Sequence, residues 1–477
     1  MKLNLNIIQH FRKFATIPPI EFQSKPYDNL GTDKIKSIRS STLFPSLFHY
    51  YKEPLIIHQG YKQWLFDHNN KRYLDLFGGI VTVSVGHCHP KVNEALKRQV
   101  DKLWHTTNIY LHPEIHEYAE MLTKKFPSPL KVVYFTNSGS EANDLAFLMA
   151  KLYTQRNEII TLRNSYHGMS SFSMGATNLS TWRHNAVTNH GFISTMNPDP
   201  YRGPWGGSHC RDSPVQTDRK CDCSPGSCGA SEKYVEQLED VLRFSTPKSG
   251  IAGFVAETIQ GVGGTVQFPK NFLAKVYPII KNSGGVCIAD EVQTGFGRLG
   301  EHFWGFQDHG VIPDIVTMAK GIGNGFPLAA VVTTKEIANS LTGALTFNTY
   351  GGNPLACAVG KEVLKVIESE NLMNNCKDVG TYFLLKLNSL KDKYEIIGDV
   401  RGKGLMIGLE MVDSKTTKIP LKIDKMAKLF EDLKDMGVLV GKGGFYGNVF
   451  RIKPPMCLSK QDVDFSISVF DECLSKI

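Results

Sequence analysis

The stretch Gly285-Val286-Cys287-Ile288-Ala289-Asp290-Glu291-Val292-Gln293-Thr294-Gly295 decides the fold class. It begins as a short apolar run, and polar residues and a glycine follow, which is typical of a buried strand that ends in a loop. A second apolar run at residues 315–319 ends at Lys320 in the same way. Apolar runs of this kind predict strands that are covered on both faces, as in a parallel sheet.

Short apolar runs alternate with helical patterns on both sides of this stretch. We predict strands at residues 132–136, 158–162, 253–257, 286–290, 315–319 and 328–332. This alternation predicts an α/β fold with a mostly parallel sheet. Ligands bind at the carboxyl ends of the strands in such sheets, so we expect the site where Asp290 and Lys320 follow their strands.

The two ends of the chain predict additional structure. Residues 56–60, 64–67 and 73–76 have the pattern of a small antiparallel sheet. After Pro354 we predict a long helix at 355–368, followed by a C-terminal α/β portion with strands at 405–410 and 449–452.

A lysine and an aspartate at the ends of two buried strands suit pyridoxal phosphate chemistry. The lysine amine binds the cofactor aldehyde covalently, and the carboxylate keeps the ring nitrogen protonated. Taken alone, a lysine such as Lys320 is more often an ordinary strand-end residue, and an aspartate such as Asp290 more often a turn residue. The case therefore depends on other parts of the site.

Residues 133–143 predict a strand, a tight turn and the start of a helix. The turn places Ser138, Gly139 and Ser140 at the positive end of that helix, which is a phosphate site. The same residues are compatible with a capping box, in which Ser138 bonds forward and Glu141 reaches back to the helix start.

Two motifs that contain the lysine and the aspartate carry a family resemblance. Residues 289–298 and the run Ala319-Lys320-Gly321-Ile322-Gly323-Asn324-Gly325-Phe326-Pro327-Leu328 resemble signature blocks of class III pyridoxal-phosphate aminotransferases, and the similarity extends over about residues 55–470. The resemblance implies a fold-type I transferase that is a homodimer or a dimer of dimers. It implies a large cofactor domain at 101–354, with a Cys-rich loop at 203–231, and a smaller domain built from 21–100 and 355–477.

Two further blocks, residues 81–90 and 202–215, resemble a mitochondrial branch of this class. That branch moves an amino group from alanine, or from a β-amino acid such as β-aminoisobutyrate, to glyoxylate or pyruvate. The alternative is another class III ω-aminotransferase, of the ornithine or 4-aminobutyrate type, or a related decarboxylase or aminomutase. Lys320 and Asp290 serve all of these reactions.

The resemblance also implies which residues would contact the cofactor. They are Ser138, Gly139, Ser140, Tyr166, His167, Glu257, Asp290, Val292, Gln293, Lys320 and Thr349. Tyr166 would stack on the cofactor ring, Val292 would contact its other face, and Gln293 would hydrogen-bond its phenolic oxygen. Thr349 would reach the phosphate of the neighbouring subunit, which implies a dimer.

Catalytic and substrate-binding roles follow from the same resemblance. Lys320 would act as general base and acid once the donor amine has displaced it, and Asp290 would keep the ring electron-withdrawing. Arg451 would grip a substrate carboxylate with two parallel hydrogen bonds. Glu257 would pair with that arginine or with the cofactor oxygen, and Thr258 follows it where the family usually has proline.

Composition and charge exclude several other classes. With 42% hydrophobic and 21% charged residues, the 477-residue chain has the composition of a folded protein, and its net charge of +8 is too modest for a nucleic-acid-binding surface. We find no apolar run long enough to span a membrane. Residues 1–20 contain no acidic side chain and resemble a mitochondrial presequence for the matrix; the alternative is an arm that packs on a partner subunit.

Cysteine clustering leaves three alternatives open. Cys210, Cys221, Cys223 and Cys228 fall in a Pro/Gly/Ser-rich stretch, but their spacing lacks the paired C-x2-C knuckles of a zinc site. The alternatives are structural zinc, a disulfide and an ordered loop without metal. Because the spacing favours the last, we predict no metal site.

Two other classes of function compete with the aminotransferase interpretation. A nucleotide-dependent oxidoreductase is suggested by the glycines at 321–325 and 261–264, but neither has the G-x-G-x-x-G spacing between a strand and a helix. A non-catalytic protein on the same fold is the other alternative.

Overall fold

Fifteen strands in three sheets form the framework of the structure, a computed structural model that describes residues 16–46, 49–186, 191–221, 223 and 228–477. The strands are β1 (Ile57–Tyr61), β2 (Trp64–Asp67), β3 (Arg72–Asp75), β4 (Val132–Thr136), β5 (Ile159–Leu162), β6 (Phe192–Thr195), β7 (Gly253–Glu257), β8 (Val286–Asp290), β9 (Ile315–Met318), β10 (Ala329–Thr333), β11 (Ile397–Lys403), β12 (Met406–Met411), β13 (Val438–Leu439), β14 (Gly441–Gly443) and β15 (Val449–Ile452).

Helices cover these sheets. Among the described residues they are α1 (Thr32–Thr42), α2 (Gly78–Val81), α3 (Pro90–Val100), α4 (Pro113–Thr123), α5 (Gly139–Thr154), α6 (Ser173–Ala176), α7 (Gly229–Phe244), α8 (Phe272–Asn282), α9 (Gly305–Asp308), α10 (Lys335–Ala338), α11 (Pro354–Ser369), α12 (Leu372–Lys393), α13 (Ile423–Asp435) and α14 (Lys460–Leu474). None of them is long and apolar enough to cross a membrane. Most of the predicted presequence, residues 1–15, lies outside the described range.

The central sheet has seven strands in the order β4-β10-β9-β8-β7-β5-β6. Strand β10 runs antiparallel to both of its neighbours, and the other pairs are parallel, which confirms the prediction of a mostly parallel sheet. All six predicted strands are present, with ends shifted by one residue at most. Strand β6 was not predicted, because it has only four residues at the edge of the sheet and its two central residues are partly buried or exposed, so it is not a continuous apolar run.

The register of the central sheet fixes the position of the acidic residues. Every residue of β7 and β8 is buried, as their apolar runs predict. Glu257 and Asp290 are partners across this pair, and Asp290 is the partner of Thr317 on β9. The two carboxylates therefore leave the sheet side by side, at the edge from which Lys320 also emerges.

A second sheet joins the two ends of the chain. Strands β1, β2 and β3 form the predicted antiparallel sheet. Strand β13, which was not predicted, adds to β3 in parallel, and the Leu74 N–H donates to the Gly437 carbonyl at 2.8 Å. This pairing ties the N-terminal segment to the C-terminal one.

The third sheet has the order β11-β12-β15-β14. Strands β12 and β15 match the predicted C-terminal strands, whereas β11 and β14 were not predicted. Because β15 lies between β12 and β14, its arginine, Arg451, is buried, with 4% of its surface exposed.

Side-chain caps begin the two helices that were predicted near the site. Ser138 accepts a hydrogen bond from the Glu141 N–H at the start of α5, as predicted. The prediction that Glu141 reaches back to the helix start needs a correction, since its carboxylate accepts from the N–H of Asn137, one residue earlier. Asn353 caps α11, which begins at Pro354 and extends one residue beyond the predicted end.

Buried ion pairs fasten the loop before α7 to the third sheet. Arg211 makes two hydrogen bonds to Asp399 on β11, at 2.8 and 2.9 Å. Arg401 also bonds Asp399, pairs with Glu410 at 2.6 Å, and donates from Nε to the Gly264 carbonyl at 2.9 Å. All four charged side chains are at most 2% exposed, so this network connects the loop before α7, and the turn that follows β7, to the third sheet.

Candidate active site

A cavity lies at the carboxyl ends of the central strands and brings together most of the predicted site residues. It is lined by Ser138, Gly139, Ser140, Asn143, Tyr166, His167, Gly168, Glu257, Asp290, Val292, Gln293 and Lys320. These residues come from five different strand–loop junctions, which the sheet brings to one edge. Chemistry that needs a lysine, a carboxylate and a helix N-terminus therefore has all three in one place.

Lys320 stands on a strained turn after β9. Its φ of +53° is in the left-handed region, which a residue with a side chain seldom adopts. Burial lowers the pKa of Lys320 to about 8, and the charge of Arg451 acts in the same direction. In the described part of the chain the amine has no hydrogen-bond acceptor, so it is free to react.

Asp290 is held by three donors. Its Oδ2 accepts from Asn143 Nδ2 at 2.9 Å and lies 2.7 Å from His167 Nδ1, while Oδ1 accepts from the Val292 N–H at 3.1 Å. These three hydrogen bonds fix the orientation of the Asp290 carboxyl group. His167, predicted as a cofactor contact, thus also orients Asp290.

Asn143 was missed by the sequence interpretation. Its side chain is 1% exposed and bridges Asp290 to the His167 carbonyl, to which it donates at 2.7 Å. A signal was present, because Asn143 follows Ser140 by three residues in a helix, and residues with that spacing share a face.

The helix N-terminus forms the opposite part of the cavity. Ser138, Gly139 and Ser140 begin the 16-residue helix α5, whose free N–H groups face an anion favourably. Ser140 Oγ accepts from the Met169 N–H at 3.1 Å. Gly168 has a φ of +132°, and a Cβ there would lie 2.5 Å from Ser140 Oγ, so only glycine allows this close approach.

Glu257 is buried and accepts two backbone hydrogen bonds, from Tyr166 N–H at 3.1 Å and Gly261 N–H at 2.7 Å. Burial raises the pKa of its carboxyl. Among the described residues it forms no ion pair with Arg451, so this structure lacks the arginine pairing that the sequence analysis gave as one option. Thr258, in place of the family's usual proline, donates to Thr294 Oγ1 at 2.9 Å and stabilises the following turn.

Arg451 and Lys453 both point at Gln293. Gln293 Oε1 accepts from Lys453 Nζ at 3.1 Å and from Arg451 Nη2 at 3.4 Å, which leaves the amide nitrogen available to a ligand. Arg451 Nε is buried without a partner in the described residues. Sequence interpretation missed Lys453, although alternate residues of a strand share one face and Arg451 precedes it by two.

Arg451, a predicted site residue, does not line the cavity itself but contacts the lining residue Gln293. Thr349 is the other predicted site residue that does not line the cavity. It is exposed, after the largely exposed Leu345 and Phe347. Its predicted contact is with a neighbouring subunit, and the structure contains a single chain. The contact therefore stays a prediction.

The cavity suits a phosphate-bearing aromatic aldehyde. The N-terminus of α5 offers N–H and hydroxyl donors to a phosphate, Tyr166 and Val292 offer flat and apolar surfaces, and Lys320 offers a free amine. Asp290 is fixed by Asn143, His167 and the Val292 N–H, and it is available to a cationic ring nitrogen.

Comparisons with known proteins agree with this chemistry. The family model described as aminotransferase class-III matches residues 49–474. The mitochondrial alanine–glyoxylate aminotransferase 2 of Homo sapiens is 55% identical over 461 residues, covering 96% of this chain and 90% of that protein. The mitochondrial alanine–glyoxylate aminotransferase 2 homolog 2 of Arabidopsis thaliana is 47% identical over 463 residues, covering 97% and 92%.

A solved structure extends the comparison to the fold. The thermostable (S)-enantioselective ω-transaminase from Thermomicrobium roseum superposes with a TM-score of 0.83 at 30% identity, covering 94% of this chain and 99% of that one.

Proposed function

The chain belongs to the class III aminotransferases, and we propose that it uses pyridoxal 5′-phosphate to move an amino group from alanine to glyoxylate. Pyruvate as acceptor, and β-amino acids such as β-aminoisobutyrate as donors, are included in the proposal. The observation that carries the chemistry is Lys320, whose unpaired amine shares one cavity with Asp290 and the N-terminus of α5. The substrate pair is supported by the names of the relatives that match along 96–97% of this chain.

The cofactor would be held by residues from several elements. Ser138, Gly139 and Ser140 would bind its phosphate, and Tyr166 and Val292 would enclose its ring. When bound, the ring withdraws electrons and stabilises negative charge on the donor carbon.

Lys320 would carry the proton in the reaction. Burial lowers the pKa of its amine to about 8. Near neutral pH, a larger fraction of the Lys320 amine is therefore neutral and able to act as a base than for an ordinary lysine. Lys320 Nζ would accept the proton that leaves the donor carbon and would then release it to complete the amino transfer.

Asp290 would hold positive charge at the ring nitrogen. His167 and Asn143 fix the orientation of its carboxylate through Oδ2. Because donors that are already in place need no reorganisation during the reaction, the carboxylate stabilises charge more effectively than solvent would.

Arg451 would bind the carboxylate of the amino donor. The unpaired Nε is an unused donor in a buried position, and a guanidinium can bond a carboxylate through two N–H groups. Burial lowers the pKa of Arg451, and the nearby negative charge of Glu257 raises it again in part. An amino donor that carries a second charged group, such as ornithine, would need protein contacts for that group in addition to Arg451.

We further propose that two chains form the working unit, as a homodimer or a dimer of dimers. The largely exposed apolar side chains Ile109, Leu111, Leu345 and Phe347 support this proposal, because an apolar surface of this kind favours a partner over water. Thr349 would reach the partner's phosphate site from this surface. Leu345→Asp should shift the protein toward monomer in sedimentation velocity. Ile423→Asp, a change at an exposed position at the start of α13, should not.

The remaining proposals concern domain limits and location. We propose a large domain at 101–354, and a smaller one at 21–100 and 355–477 that is supported by the β3–β13 pairing. The relatives are named mitochondrial, and we propose the mitochondrial matrix for this chain, with residues 1–20 as the presequence.

A donor-by-acceptor activity panel on the purified, cofactor-loaded protein tests the proposal. Alanine with glyoxylate should give the highest kcat/KM, and Lys320→Ala should show no turnover. If ornithine or 4-aminobutyrate were preferred over alanine, the substrate proposal would be wrong. Carbon dioxide release without amino transfer would identify a decarboxylase.

A further inference from the structure

Four cysteine side chains converge where the loop before α7 meets that helix. The Sγ atoms of Cys210, Cys221 and Cys223 all lie within 4.8 Å of one another. Cys228 Sγ lies 2.9 Å from Cys210 Sγ, and all four thiols are free. Cys210 and Cys228 are buried, and the other two are half-buried. The chain thus brings together four sulfur ligands that are up to eighteen residues apart in sequence.

Small residues and hydrogen-bond donors surround the sulfurs and allow the backbone to lie close to them. A Cβ on Gly207 would lie 2.1 Å from Cys221 Cβ and 2.3 Å from its Sγ, so this buried position accepts only glycine. The Gly229 N–H donates to Cys223 Sγ at 3.3 Å, and Ser208 Oγ lies 3.9 Å from Cys221 Sγ. Donors of this kind stabilise negatively charged sulfur and orient ligands around a metal.

We propose that Cys210, Cys221, Cys223 and Cys228 bind one Zn²⁺ ion. Four thiolates in a tetrahedron are the usual ligands of structural zinc, and a Zn–S bond of about 2.3 Å places neighbouring sulfurs about 3.8 Å apart. The sulfurs of Cys210, Cys221 and Cys223 lie no more than 4.8 Å from one another, at most about 1 Å above that spacing. Cys228 Sγ lies outside this group of three, and it has to move away from Cys210 and toward the other two sulfurs to complete the tetrahedron. The proposal departs from the metal-free loop that the sequence spacing favours.

The proposed zinc ion would stabilise the loop before α7, because the residues next to Cys210 make buried contacts with other parts of the fold. Arg211 is the next residue, and its guanidinium makes the buried bidentate bond to Asp399. The backbone of Cys210 is also fixed, because its carbonyl accepts from the Lys270 N–H at 2.8 Å. Zinc would therefore hold the loop at the point where it joins the central sheet to the third sheet. It lies outside the active-site cavity and supplies no step of the reaction.

Metal analysis of full-length protein tests the proposal. The protein is expressed with added zinc and purified without chelator, and metal is measured by elemental analysis. Wild type and Cys88→Ser, which changes an exposed cysteine elsewhere, should carry about one zinc per chain. Cys221→Ser and Cys223→Ser should carry less than about a fifth of that amount. Wild type without zinc, or equal zinc in the Cys221→Ser variant, would overturn the proposal.

Two additional measurements keep the result independent of misfolding and of catalysis. Gly207→Ala retains all four thiols but displaces Cys221, so it should lose most of the zinc while its circular dichroism spectrum remains that of wild type. Cobalt substituted for zinc should give thiolate-type visible bands in wild type and Cys88→Ser only. A disulfide between Cys210 and Cys228, detected by mass spectrometry of the unreduced protein, would contradict zinc binding. None of these readouts depends on aminotransferase activity.

Discussion

Replacing Arg451 by lysine tests how the substrate carboxylate is bound. Burial lowers the pKa of the Arg451 guanidinium well below its usual value, to about 10, and Glu257 offsets only part of this effect. A difference of one in pKa corresponds to about 1.4 kcal/mol, so the charged side chain carries an uncompensated desolvation free energy of about 3 kcal/mol. A bound carboxylate can recover much of that free energy.

We expect Arg451→Lys to lower kcat/KM for alanine by about 30-fold to 900-fold. This range corresponds to roughly 2–4 kcal/mol of transition-state stabilisation, the usual loss when one member of a buried charged pair is disrupted. A lysine ammonium keeps the charge but loses the second parallel hydrogen bond. An amine donor without a carboxylate should lose less than about threefold, because it never uses the guanidinium.

The assay is steady-state amino transfer to glyoxylate with both kinds of donor. Arg401→Lys is the matched control, since Arg401 is equally buried in the third sheet but bonds protein groups outside the cavity. That variant should affect both donors alike, through stability. Equal losses for the two donors in Arg451→Lys would refute the reasoning and assign Arg451 to the fold.

Three further predictions concern other residues. Lys320→Ala should abolish amino transfer while the chain stays folded, because no other amine replaces the proton carrier; turnover near the wild-type rate would exclude that role. Asp290→Asn should lower the single-turnover rate by roughly 100-fold or more, since a neutral amide cannot hold positive charge at the ring nitrogen, and a wild-type rate in stopped flow would contradict this. Asp399→Asn should lower the free energy of unfolding by roughly 3–5 kcal/mol, because Arg211 loses its charged partner; urea denaturation measures the change, with the exposed Asp413→Asn as control.

Sequence predicted the central sheet well because its signal is local. Strands β7 and β8 are buried on both faces, and each is an apolar run with an acidic residue at its end. Strand β9 is also fully buried, and Lys320 follows it after one alanine. Strands β13 and β14 have only two and three residues. Such short strands exist because neighbours distant in sequence pair with them, and no local pattern reports that pairing.

Site residues could be predicted from the sequence where the chemistry requires a particular residue type. Residues that join the site only through contacts formed in the folded chain were harder to predict. Lys320 and Asp290 stand at recognisable strand ends, and the helix-start glycine and serines form a recognisable turn. Lys453 and Asn143 contribute through partners that lie far away in the chain, Gln293 and Asp290. The four cysteines remain a prediction, because their spacing favours a loop without metal whereas the folded loop brings the sulfurs of Cys210, Cys221 and Cys223 within 4.8 Å of one another.

The left-handed backbone conformation at Lys320 lowers the stability of the fold, whereas the side chain at the same position is required for activity. A residue with a side chain costs about 1 kcal/mol or more in this conformation, whereas glycine adopts it freely. Random mutation followed by selection for a higher melting temperature would therefore favour Lys320→Gly, which removes the reactive amine. A stabilised library of this protein should be screened for amino transfer as well, since thermal selection alone enriches an inactive enzyme.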